Sequence, residues 1–151
     1  MILSPWLQPE AWKSGRWARL CGGVCGAVAL VGVLVGCGSV DEREVAVRSA
    51  VEGFDAAAAA RDGASLCAAL ASGTRSELED SEHQPCAEAA AGLGLPPAGA
   101  VDGMDVYGQE ARVVAAGDTL FLSRFTGGWK VVAAGCRPEP GRPYQCVIKG
   151  G

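Results

Sequence analysis

The chain has one histidine, His83, among 151 residues, and aromatic side chains make up only 6% of it. It has no Cys-x-x-Cys pair, and with a single histidine besides, metal binding is the weaker reading of its cysteines. No Gly-x-Ser-x-Gly occurs, and Ser72 and Ser76 have no nucleophile context. The Gly-x-Gly at Gly92 to Gly94 has neither a strand before it nor a helix after it, which excludes a phosphate-binding loop. A basic stripe is missing too, so nucleic acid is not an expected partner. No cofactor and no metal are expected. Nor is there an apolar run of the roughly 20 residues that a spanning helix needs. The longest, Leu20 to Val35, has sixteen residues and is weakened by Gly22, Gly23, Gly26 and Gly32.

What is present begins at the end of that run. Leu34-Val35-Gly36-Cys37 places a small residue and then a cysteine directly after an apolar segment, and Lys13, Arg16 and Arg19 precede it. Basic, apolar and small-residue segments in that order are those of an exported precursor. The junction resembles the lipobox of a bacterial lipoprotein signal peptide. That resemblance implies that residues 1–36 are removed, that Cys37 becomes the lipid-modified first residue, and that residues 37–40 are a short tether. The expected location is the extracytoplasmic face of the cell membrane, held there through Cys37. No adjacent arginine pair occurs, which favours the general secretory route. An uncleaved membrane anchor and a plain signal-peptidase site are the alternatives.

Removing residues 1–36 takes away three of the four tryptophans and shifts the net charge from −4 to about −6, with ten basic and sixteen acidic residues left. The remaining 115 residues suffice for one domain with a modest core, residues 41–151. Its aromatics are Phe54, Tyr107, Phe121, Phe125, Trp129 and Tyr144, and many apolar positions are alanine or glycine. Cys67, Cys86, Cys136 and Cys146 form an even set in an exported chain, which reads as a disulfide framework. Four cysteines allow three connectivities, and the sequence-local pairing, Cys67 with Cys86 and Cys136 with Cys146, is preferred.

Ser39-Val40-Asp41-Glu42 has the Ser-x-x-Glu form of a capping box. The helix it opens carries Val47, Val51, Phe54 and Ala58 at helical spacing and is expected to run to about Ala60. Asp62 can cap a second helix over Ala64 to Ala71, which Ser72-Gly73 should break. A polar helix over Thr74 to Ser81 and another starting at Pro85 follow. After Pro96-Pro97 the pattern becomes extended, with strands expected over Asp102 to Tyr107, Glu110 to Ala115, Thr119 to Phe125 and Trp129 to Ala134. Proline in the tail, Arg137 to Tyr144, argues against a central strand there, while Val147-Ile148 could add a short edge pairing. Helices followed by successive antiparallel strands predict an α+β domain, its N-terminal helices packed on a curved four-stranded sheet.

This order, together with Leu66-Cys67-Ala68-Ala69-Leu70, the strand Gly128 to Cys136 and the ending Pro143-Tyr144-Gln145-Cys146, resembles the NTF2-like, cystatin-like α+β superfamily. More narrowly, it is similar to small actinobacterial lipoproteins of that fold. The resemblance implies a cone between helix and sheet as the place for a ligand, lined here by Phe54, Tyr107, Phe121 and Trp129. It also implies that an Asp, His or Tyr inside the cone would do any chemistry. Asp55, Asp102, Asp105, His83 and Tyr107 are the available groups, against plainer readings as a solvated helix carboxylate, an exposed strand face and a surface histidine. Trp129 could be a stacking platform, or could simply cap the core. Fold alone does not convey function in this superfamily. The leading expectation is a non-enzymatic, membrane-tethered module for a small apolar ligand or an envelope protein. An isomerase or dehydratase using Asp105 or Asp55 is the alternative.

Overall fold

The structure, a computed structural model, describes residues 39–150. The expected signal segment and Cys37 lie outside the described residues. The capping box at the start of the first helix, α1 (Val40–Ala60), forms as read from sequence. Glu42 N–H donates to Ser39 Oγ at 3.2 Å, and Ser39 N–H donates to Glu42 Oε2 at 2.8 Å. Ser39→Ala removes one of these and should cost about 1 kcal/mol, measurable by chemical denaturation. The buried stripe of α1 is Val47, Val51, Phe54 and Ala57.

Three short helices follow: α2 (Gly63–Ala69), α3 (Ser72–Glu82) and α4 (Cys86–Gly92). Asp62 caps α2 by accepting from Ser65 N–H at 3.1 Å and from the Ser65 hydroxyl at 2.6 Å. Those two bonds pull the Asp62 carboxyl below its ordinary pKa. Ser72-Gly73 does not end a helix but begins α3. The break falls at Leu70 and Ala71, which are extended because they dock on the sheet: Leu70 bridges Val131, and Ala71 N–H donates to Val131 O at 2.9 Å. Pro85 is the N-cap of α4 rather than its first residue.

The sheet is an open antiparallel meander of five strands in the order β1-β2-β3-β4-β5. They are β1 (Val101–Tyr107), β2 (Glu110–Ala115), β3 (Thr119–Phe125), β4 (Gly128–Glu139) and β5 (Arg142–Gln145). The four expected strands are all present. The correction is the tail: β4 runs past Ala134 through Pro138, and residues 142–145 return as an edge strand. Pro143 is accommodated because β5 has a neighbour on one side only. The anticipated edge pairing of Ile148 occurs opposite Ala134.

Ala111, Val113, Leu120, Leu122 and Val131 share the face that meets α1, and Val113, Leu120 and Leu122 are completely buried. Alternation fails within β4. Leu122 faces Val131, Phe121 faces Ala133 and Thr119 faces Cys136, so β4 spends extra residues against β3. Such bulges re-aim the side chains beyond them. The buried positions are accordingly Trp129, Val131, Ala134 and Cys136, where strict alternation would have put Ala133 and Gly135 inside. Gly135 takes a left-handed φ of 67° at this irregularity, and a Cβ there would collide with the Val147 side chain.

Candidate functional site

The four cysteines are joined as Cys67–Cys86, which links α2 to α4, and Cys136–Cys146, which links β4 to the segment just after β5. Both are the sequence-local pairs. The four aromatics expected to line one cone are not brought together. Phe54 and Trp129 are buried, Phe54 within the core and Trp129 at its margin. Tyr107 is 75% exposed at the end of β1. Phe121 lies on the opposite face of β3 from Leu120 and Leu122, where its ring meets Tyr144 edge-on at 5.1 Å. The physical reason is strand alternation: residues 120 and 122 carry the core face, so 121 cannot. The space between helix and sheet is filled by Phe54, Leu66, Leu70, Leu120 and Leu122.

The candidate catalytic groups are held by structural partners or lie at the surface. Asp55 Oδ1 accepts from Ala98 N–H at 2.7 Å, tying α1 to the loop before β1. Asp105 pairs with Arg112 across β1 and β2 at 2.6 Å on the exposed face. Asp102 is exposed, and so is His83, which ends α3 in a left-handed conformation with φ 53°. Ser76 donates its hydroxyl to Ser72 O, a local helix bond. Among the described residues no cluster of three His, Cys, Asp or Glu side chains is placed to hold a metal ion.

A carboxylate outside all the expected helices and strands is buried between β2 and β3. Asp118 is 7% exposed. Its two oxygens accept from Cys136 N–H at 2.8 Å and Gly135 N–H at 2.9 Å, the donors that the irregularity in β4 leaves without strand partners. Burial pushes its pKa above the ordinary range, Asp55 adding in the same direction, against the lowering effect of these backbone donors. Its position immediately before β3 gave no signal, because the strand that it satisfies is 17 residues away.

Two depressions share Arg124 at one end of the domain. A cleft of about 400 Å³ lies between α1 and the β3–β4 hairpin, lined by Arg43, Ala46, Ser49, Ala50, Arg124 and Trp129 among others. A shallower one of about 550 Å³ lies over the hairpin tip at Phe125, Thr126 and Gly127, with Gln109 from the β1–β2 turn. Arg43 reaches that turn, Nη1 donating to Gly108 O at 3.3 Å, while its buried Nε has no partner. Neither Arg43 nor Arg124 forms an ion pair among the described residues. Alanines, one tryptophan edge, the Glu42 carboxylate and two guanidinium groups, that of Arg43 already donating to Gly108 O, make this a cleft of mixed charge rather than an apolar pocket. No family model matches the chain, and neither a curated protein nor a solved structure matches it.

Proposed function

We propose that this chain is the precursor of a membrane-tethered, extracytoplasmic lipoprotein whose single NTF2-like domain is a non-enzymatic binding or accessory module. The observation that carries the reading is the cysteine pairing. Two disulfides fit an oxidising compartment, and they account for every cysteine of residues 37–151 except Cys37, the one that follows the apolar run. Four helices preceding a meander, with α1 in contact with both β1 and β4, support the NTF2-like assignment. Among the described residues side chains fill the space between helix and sheet, which favours contact through the surface, with a partner of the envelope. Asp55 and Asp105, the carboxylates on which the enzymatic alternative rests, are engaged by Ala98 and Arg112.

The expected result is a purified N-terminus that begins at diacylated Cys37 by intact mass spectrometry. Two acyl chains give stable anchoring where one does not. Cys37→Ser should therefore move the protein out of the membrane fraction. An unmodified Cys37 in protein isolated from membranes would end the lipoprotein reading.

A further inference from the structure

Five large apolar side chains are exposed among the described residues: Val40, Val45, Tyr107, Phe125 and Val147. Four of them lie at one end of the domain. Val40 and Val45 are in the first two turns of α1, and Tyr107 and Phe125 are the last residues of β1 and β3. The Arg43 bond to Gly108 and the cleft shared by Arg43, Arg124 and Gly128 bring these three element ends together. Val147 is far along the chain, packed beside Gly135 in the distal half of β4.

We infer that this end of the domain docks on the phospholipid bilayer that holds the tether. The inference rests on the lipid anchor proposed above. From Cys37 to Val40 the chain can reach about 11 Å at full extension, so an acylated Cys37 would keep the start of α1 at the headgroup layer. Side chains held there are at the depth where tyrosine and other aromatics are stabilised, with one end apolar and one end wet. Tyr107 and Phe125 are the aromatics presented. Arg43 and Arg124 supply guanidinium donors for headgroup phosphates at the same level. Asp41, Glu42 and Glu44 stand beside them in the first turns of α1, so apolar contact and the tether, rather than net charge, hold the face down. The acidic α3 lies beside the fifth exposed apolar residue, where Glu77 and Glu82 line a depression with Val147.

The test uses the full chain, processed in cells, with its N-terminal mass measured, in phosphatidylcholine vesicles whose acyl chains are brominated near the carbonyl. Phe125→Trp places a fluorophore at the proposed contact, and Glu139→Trp places one in the β4–β5 hairpin at the opposite end of β4. With wild-type emission from Trp129 subtracted, bromine should quench the probe at 125 at least twice as strongly as the probe at 139. Tyr107→Trp provides a second contact probe should the first variant fold poorly, and it should behave like the first. Equal quenching at both ends with Cys37 acylated overturns the docking and leaves the anchor intact. An unacylated Cys37 removes the anchor and the docking together.

Discussion

Replacing Asp118 with alanine should lower the stability of this domain by about 3 kcal/mol. The substitution leaves the buried Cys136 N–H and the half-buried Gly135 N–H without acceptors, and a fully buried loss of this kind costs about 1–3 kcal/mol. Relief of the buried charge offsets part of it, since burial already raises the Asp118 pKa. That shift also fixes a pH dependence. Between the unfolded and the raised folded pKa the folded state holds more of this proton than the unfolded chain does, so the contribution of this group is full below the ordinary carboxylate pKa of about 3.9 and is lost as pH rises through the folded value. Asp118→Asn cannot titrate. Denaturant titrations should therefore show the stability of wild type, relative to Asp118→Asn, falling as pH rises from about 4 toward neutrality. A difference that grows over that range would contradict the assignment of Asp118 as a buried, reluctantly ionised acceptor.

Loss of the Cys67–Cys86 bridge should be comparably severe. The bridge closes a loop of 19 residues, which corresponds to about 3 kcal/mol of constraint on the unfolded chain. The helices it joins have seven residues each, too short to persist without tertiary support. Their large buried side chain is Leu66; the other inward positions are glycine, alanine and the cysteines. They compensate by close approach: a Cβ on Gly63 would run into the backbone carbonyl of Ala87. Such contact depends on the bridge to hold its register. Cys67→Ala with Cys86→Ala should lower the melting temperature by roughly 12 °C, at about 4 °C per kcal/mol for a domain of this size. The Cys136–Cys146 bridge spans 10 residues and joins segments already paired in the sheet, so its removal should cost less. Calorimetry on the two double variants gives the order, and the reverse order would refute the account of α2 and α4.

Local chemistry determined a large part of this protein from sequence. The Ser39 and Glu42 capping box, the stripe from Val47 to Phe54, the Asp62 cap and the four strand positions all depend on residues within a few places of one another. That is the range over which spacing carries information. The pairing of neighbouring cysteines was legible for the same reason. Tertiary structure decided the rest. Ser72-Gly73 opens a helix because Leu70 and Ala71 are drawn onto Val131, 60 residues along the chain. The extra residues of β4 shift its inner face onto Ala134 and Cys136, and Asp118 exists as a buried acceptor only because that irregularity leaves two donors unpaired. Phe121 and Tyr107 fell outside the expected cone because strand alternation assigns faces in pairs, and only packing against α1 says which face is inside. Composition chose the kind of domain, but long-range pairing chose which side chains meet and which are left exposed at the end where α1 begins.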